Sequence, residues 1–423
     1  MKPRIVFVKT PDPRGVVDTL TEGLSKSLSA RNFEVKIVEP TKDNIQQVVN
    51  EIIEYRPLFT FDFNLDGLIF AEKDGQQKIL ADILGNIHVT WFLDDPMVHF
   101  AKLKSALQSN QLLYLTIDLD HGQWLGSMGK NVAFLAPGIN PSDYPPPNVE
   151  KEFDVAFVGP VTDPDNIELS WKERFDDGLF SFAVELGRLL YRNPDMPVRF
   201  ASGYLLSQFN QDFQQAMIKF QQEREAEFFQ YLTEVTLYAM HLRRWNIIDS
   251  IEEFEINILG PVEGETKDNV VVYKHIINNS DIISFLSKTK IALLSHPPFI
   301  PTGLAYTVFM SLGSNTLTMV EERFSSRTFL VDGRDLVTYH PMDTVEIEGK
   351  IAYYLEEAPK EREAIAKQGR DTVFQNHTIL QRGEFLANML NDIIKRAEAD
   401  SGNGKAESTE EKEADIPPEE KLN

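Results

Sequence analysis

Short apolar runs and amphipathic stretches alternate along the first 140 residues. RIVFV (4–8) is a compact apolar run without alternation, the pattern of a strand covered on both faces. Residues 16–30 follow with Val17, Leu20, Leu24 and Leu28 at helical spacing. VKIVE (35–39), PLFTFDF (57–63), HVTWFL (88–93), LLYLTID (112–118) and VAFLAPG (132–138) read as further strands. The segments 45–53 and 76–85 between them read as helices. Strands alternating with helices of this length predict a parallel sheet with helices on both faces.

Prolines then interrupt the pattern. PGINPSDYPPPNVEKE (137–152) holds five prolines, the composition of a stiff connector, which sets a first domain at 1–140 and a linker at 141–152. FDVAFVGP (153–160) opens a second unit. Residues 165–253 lose strand patterning, while Phe213, Met217, Phe220, Phe228, Tyr231, Val235, Tyr238 and Leu242 recur at spacings of three and four. This predicts a helical insertion whose aromatics form core. Alternation resumes with INILGP (256–261), VVVYKH (270–275), a helix at 280–288, IALLS (291–295), a helix at 303–312, NTLTMV (315–320) and a helix at 343–357. Helical stretches continue to 397, closing a second domain over 153–397. Residues 398–423 are almost free of apolar side chains and read as a disordered acidic tail. The expected fold is α/β: two parallel-sheet domains in tandem, facing a cleft at the carboxyl ends of their strands, where open sheets bind ligands.

Composition narrows the function. A chain of 423 residues with 42% hydrophobic content suits two domains plus an appendage. The net charge is −23; the tail's nine acids and three lysines supply −6 of it, leaving −17 elsewhere. A surface this acidic repels nucleic acid and anionic membrane. The chain has no cysteine, which excludes disulfides, zinc–thiolate sites and cysteine nucleophiles and suits a reducing compartment. The apolar run near the start is too short for a signal peptide, and no stretch approaches a membrane span. A soluble, cytoplasmic protein is expected.

Polar residues cluster where the first domain's strands end: Asp62, Asn64, Asp94, Asp95, Asp118, Asp120 and His121. In a parallel sheet these ends share one edge. Asp62, Asp95 and His121 are candidate proton acceptors there. The same residue types also cap helices and make turns. Asp94–Asp95 lacks the spacing of a DxD pair and the histidines form no HxxxH or HExxH pattern, so no metal site is expected. In the second domain Thr302 reads as an N-cap and Gly303 as the start of a helix whose free amides suit a phosphate. Lys274, His275, Ser295 and His296 end neighbouring strands and add donors. Neither GxGxxG nor GxxxxGK[ST] occurs, which argues against a nicotinamide enzyme or a P-loop.

Taken together, these motifs resemble the CgeB-like glycosyltransferases, bacterial enzymes related to spore-maturation proteins and to transferases found near flagellin genes. The resemblance covers about 1–165 and 245–390. It rests on FDFN (61–64), WFLDDP (91–96), TIDLDH (116–121), LAPGIN (135–140), AFVGP (156–160), ILGP (258–261), KIALLS (290–295), KIAYYLEE (350–357) and REAIAKQGRDTVFQNHTILQR (362–382). It implies a GT-B architecture, two Rossmann-like domains with nucleotide sugar in the second and acceptor toward the first. It also implies metal-independent transfer by a hexosyltransferase-type enzyme to a protein or glycan acceptor, flagellin among them. The donor is a co-substrate, and no cofactor is expected. Tyr306 joins the expected donor site. The family's "R.FE" pattern departs here: its Glu falls on Val308 and its Arg on Ala305. Tyr306, Thr307, Glu321 or Glu322 are the residues nearby that would replace the carboxylate. A non-catalytic GT-B-like protein binding a partner through the insertion is the alternative.

Overall fold

The computed structural model describes residues 2–73, 75–274 and 278–410, with only backbone described for 400–410. Its first sheet is built from β1 (Arg4–Val8), β2 (Glu34–Val38), β3 (Phe59–Phe63), β4 (Ile87–Phe92), β5 (Leu112–Thr116) and β6 (Asn131–Phe134). All pairs are parallel, in the order β2-β1-β3-β4-β5-β6. The apolar runs behave as expected of doubly covered strands: Ile5, Phe7, Phe61, Val89 and Trp91 are buried. The expected helix at 76–85 is not formed as such. Phe70–Lys73 and Gln76–Ile79 make an antiparallel hairpin, and only Leu80–Leu84 is helical. Gly75, at φ 72°, supplies the left-handed turn that joins the two short strands.

The second sheet holds β7 (Phe153–Val158), β8 (Ile256–Leu259), β9 (Val270–Tyr273), β10 (Thr289–Leu294), β11 (Leu317–Glu321) and β12 (Val337–Tyr339). It is also wholly parallel, in the order β9-β8-β7-β10-β11-β12. The strand order reverses between β7 and β10, so the ends of these two strands frame the crevice. β12, only three residues long, left no readable signal.

Of the helices, α1 (Val16–Ala30) flanks the first sheet and α2 (Leu119–Ser127) follows β5. The predicted insertion is five helices, α3 (Pro164–Arg174), α4 (Asp177–Arg192), α5 (Val198–Leu206), α6 (Gln211–Glu223) and α7 (Glu225–Ser250). Its aromatics pack as core: Trp171 lies 5.0 Å from Tyr238, and Phe182 lies 5.4 Å from Phe209. Helix α7 is the crossover from β7 to β8, and both its faces are used. One end buries Phe229 against Phe100 and Trp124 of the first domain. The other sends Arg243 and Arg244 beneath the second sheet's strand ends. The insertion is therefore wedged between the domains.

The helix expected at 303–312 starts later, as α8 (Tyr306–Gly313), with Ala305 extended at its N-cap. The last helix, α9 (Ile379–Glu410), returns to the first domain. Ser27 Oγ donates to the Leu380 carbonyl at 2.9 Å, and Arg31 pairs with Glu384 at 2.8 Å. The first domain's outer layer thus includes chain assigned by sequence to the second. Helix α9 also runs past residue 398, where the sequence predicts a disordered tail; residues 411–423 lie outside the described residues.

Candidate active site

The strand ends of the first sheet bring Asp94, Asp95, Asp118 and Asp120 to one edge, but their surroundings differ. Asp95 is 2% exposed and caps the turn that follows β4, its Oδ1 accepting from the Met97 amide at 2.9 Å. Arg199 of α5 reaches across from the insertion, its Nη1 2.8 Å from both Asp95 oxygens and its Nη2 bonded to Asp120. The same guanidinium lies 4.4 Å over the Trp124 ring. Burial alone would raise the Asp95 carboxyl; the Arg199 charge and hydrogen bond, with His121 and the Met97 amide, together outweigh it and hold the group below the usual carboxylate range. Asp95 is a paired structural anion, and the expected role as proton acceptor does not suit it.

Asp62 is engaged within the first domain. It is 1% exposed within β3, its Oδ2 accepts from the Gly67 amide at 2.8 Å, and His88 Nε2 stands 3.3 Å from its Oδ1. This is turn chemistry inside the first domain, so Asp62 does not face an acceptor. His121 is fully buried on α2. Its Nε2 bonds the Phe299 carbonyl at 2.7 Å and lies 3.5 Å from Asp95 Oδ2. A carbonyl only accepts, so Nε2 carries the proton, and Nδ1, buried and without a hydrogen-bond partner among the described residues, is the ring's remaining acceptor. Of the three expected proton acceptors, Asp95 and His121 are brought together; Asp95 is held by Arg199, and His121 keeps a free Nδ1 but is fully buried, away from solvent.

Asp94 is the residue left free. Solvent reaches its side chain, and no hydrogen bond or ion pair engages it among the described residues. Protein nevertheless surrounds it closely, and this burial raises its carboxyl, against the pull of His99, His121 and Arg14. An exposed carboxylate at the sheet edge with no hydrogen-bond or ion-pair partner among the described residues is chemically able to take a proton from a hydroxyl.

In the second domain Lys274 is exposed at the end of β9, and His275 lies outside the described residues. Thr302 and Gly303 precede α8, and their amides are occupied. Asp118 Oδ2 accepts from Thr302 at 2.7 Å and from Gly303 at 2.6 Å. The helix begins three residues later than its sequence suggests, after the extended Ala305. Tyr306 opens α8 beside Asn279, its phenol pushed up to about 12 by burial. Val308 is 1% exposed and Ala305 8%, and both pack into hydrophobic core, so the position of the family's Glu does not open onto a donor.

The crevice between the β7 and β10 ends holds charge instead. Arg244 donates to the Pro160 carbonyl at 2.9 Å and approaches the Ser295 carbonyl at 3.4 Å. Gly159, at φ 130°, lets it in: a Cβ there would stand 2.7 Å from Arg244 Nη1. Beside it Glu321 accepts from Arg243 at 3.0 Å, Arg323 at 2.7 Å and Ser295 Oγ at 2.6 Å. Asp195 reaches Arg323 from the rim at 3.3 Å. Arg243, Arg244, Arg323 and His296 are all buried, and the Nε of each arginine and Nε2 of His296 have no hydrogen-bond partner among the described residues. Burial and the three guanidiniums hold His296 neutral, its pKa down at about 3. Sequence reasoning missed Asp94 as the free carboxylate, and missed Arg199 and the arginine cluster. The adjacent Arg243–Arg244, set among apolar α7 positions Met240, Ile247 and Ile248, was the readable signal.

A larger open space lies to one side. A cavity of about 670 Å³ is lined by Arg192 and Asn193 at the end of α4, by Tyr339 at the end of β12, and by His340 and Lys350 beyond it. Among the described residues no group of three or more His, Asp or Glu is placed to hold a metal ion. No helix among them is long and apolar enough to cross a membrane.

Buried neutral histidines make the fold acid-sensitive. His241 Nδ1 accepts from the Thr162 amide at 3.0 Å, and His377 Nδ1 lies 2.8 Å from Arg382 Nη2, so each needs an unprotonated Nδ1. Burial, then the nearby Arg244 or Arg382 charge, lowers each to about 4. With His296 these groups stay neutral when folded while their unfolded forms protonate near pH 6.5. Their contribution is present above that value and is lost as pH falls toward 4, at roughly 1 kcal/mol per histidine between pH 7 and 5.5. Urea midpoints at the two pH values measure this, and equal midpoints would refute it.

Comparison with known proteins agrees with this architecture. Residues 243–388 match the glycosyl transferase-like family. The chain is 28% identical over 397 residues to an uncharacterized protein of Aquifex aeolicus, covering 94% of this chain and 98% of that one. Sucrose-phosphate synthase from Thermosynechococcus elongatus superposes with a TM-score of 0.53 at 8% identity, over 93% of this chain and all of the other. HepE from Anabaena, in complex with UDP-glucose, superposes with a TM-score of 0.52 at 10% identity, over 92% and 99%. The chain has the GT-B glycosyltransferase fold, and its residues 243–388 carry the pattern of the glycosyl transferase-like family.

Proposed function

We propose that the protein transfers a sugar from a nucleotide-sugar donor to a hydroxyl of a protein or glycan acceptor, without a metal ion, in the crevice between its domains. The observation that carries this reading is the surplus of buried positive charge at the second sheet's strand ends. Among the described residues Arg243 and Arg323 pair with the fully buried Glu321, Arg244 beside them bonds only carbonyls, and each of the three keeps an Nε–H without a partner. A departing nucleoside diphosphate is the anion such donors stabilise, most of all where water is excluded. The acceptor oxygen attacks the anomeric carbon, the bond from that carbon to the phosphate oxygen breaks, and Asp94 takes the hydroxyl proton. HepE was crystallised with UDP-glucose, which makes UDP-hexoses the first donors to test. The CgeB-like motifs favour a cytoplasmic enzyme with a protein acceptor of the flagellin-associated kind.

Calorimetry with UDP, GDP, dTDP and their sugars tests the reading. At least one binds the parent chain, and Arg244→Gln weakens it about ten- to a hundredfold, the worth of one charged hydrogen bond. Absence of binding across the set sinks it. A second reading, a non-catalytic protein acting through its insertion, is favoured by Asp118 on the loop amides and by core packing at Val308. Under that reading Asp94→Asn leaves cellular function intact and loss of α3–α7 abolishes it.

A further inference from the structure

We propose that Asp118 is an internal anion that latches the two domains together, and that a phosphate-bearing ligand opens the crevice by taking its place. The ligand's part rests on the donor reading above. Asp118 follows β5 in the first domain and is fully buried. Its Oδ1 accepts from the Asp120 amide at 2.8 Å, which fixes the side chain's orientation. Its Oδ2 then receives both amides of Thr302 and Gly303, at 2.7 and 2.6 Å, from the second domain. Two convergent amides on one anionic oxygen are what a loop ahead of a helix offers a phosphate.

The same loop adds further bonds across the boundary. The Leu119 amide donates to Thr302 Oγ1 at 2.9 Å, and His121 Nε2 donates to the Phe299 carbonyl at 2.7 Å. Residues 299–303 and 118–121 therefore meet through four hydrogen bonds, every one of them between domains. Among the described residues no arginine or lysine pairs with Asp118, so amides alone hold its charge. Gly303 is required by the closure itself. A Cβ added there would collide with the Ile117 carbonyl oxygen and stand 3.2 Å from Asp118 Oδ2.

A phosphate and this carboxylate cannot share the two amides, because like charges would meet in a buried place. Closure and ligand binding therefore compete, and the latch lowers apparent affinity by the fraction of molecules that are open.

The test uses full-length parent, Asp118→Ala and Gly303→Ala. The first variant removes the anion; the second blocks closure and leaves Asp118 in place, so agreement between them does not depend on either side chain's own effect. Small-angle scattering measures the radius of gyration, hydrogen exchange follows the Thr302 and Gly303 amides, and calorimetry titrates inorganic pyrophosphate and UDP. Both variants are expected to be larger than the parent, to exchange faster at 302–303, and to bind the probes at least tenfold tighter. Unchanged size and exchange in both variants overturns the latch. UDP binding by the parent with no gain in either variant overturns the competition and leaves the donor reading standing. Expansion of both variants with no binding by any of the three proteins supports the latch and overturns both the donor reading and the ligand's part.

Discussion

Asp94→Asn lowers turnover by about a hundred- to ten-thousandfold, the worth of a positioned general base, while leaving donor affinity and stability nearly unchanged. Asp95 and Asp120 are held by Arg199, Asp118 by the loop amides, and Asp62 by His88 and Gly67. Asp94 has no such partner, so its replacement breaks no ion pair, and removing a partly desolvated charge costs the fold little. Its raised carboxyl also gives a sign to the pH dependence. The base works when ionised, so turnover is retained at high pH and falls as pH drops through the raised value. Release of UDP from a UDP-hexose, followed against pH, reports both effects. Asp95→Asn gives the opposite pattern, with lost stability from an Arg199 left with Asp120 as its one carboxylate partner among the described residues preceding any change in chemistry. Equal turnover for Asp94→Asn and the parent would remove Asp94 from the mechanism.

The second large effect is on stability. Glu321→Gln costs about 3–5 kcal/mol, because it leaves buried cations without their counter-ion. Burial by itself would raise the Glu321 carboxyl, yet Arg243 and Arg323, with the Ser295 hydrogen bond and other nearby groups, together outweigh that and hold it below its ordinary range. The amide keeps the shape and the Ser295 contact, so the loss reports charge rather than packing. With the carboxylate gone, Arg243, Arg244 and Arg323 face each other, with Asp195 alone reaching Arg323 from the rim. Urea unfolding measures the change. A loss below about 1 kcal/mol would mean that water or an anion already shares the cluster, against the packing described.

The architecture was readable because strands covered on both faces are written as apolar runs. RIVFV, HVTWFL and IALLS mark β1, β4 and β10 within a residue or two. The hairpin at Phe70–Ile79 was not readable, since its residues at 76–78 are polar and the deciding feature is one left-handed glycine. The site divided along the same line. Which aspartates reach the sheet edge follows from local pattern, so Asp94, Asp95, Asp118 and Asp120 were all found there. Which of them stays free depends on Arg199, about 100 positions away, and on Thr302, about 180 away, and no local spacing encodes those pairings. Helix α8 shows the same effect in reverse: Thr302 has the chemistry of a cap, but its Oγ1 instead accepts from the Leu119 amide of the first domain.

A structure of the protein with UDP bound tests the central claim most directly. The account predicts a diphosphate within hydrogen-bond distance of Arg244 and of the Thr302 and Gly303 amides, with Asp118 displaced and Asp94 facing the open side. Nucleotide seated only in the cavity beside Arg192, His340 and Lys350, with Asp118 still on its two amides, would contradict it.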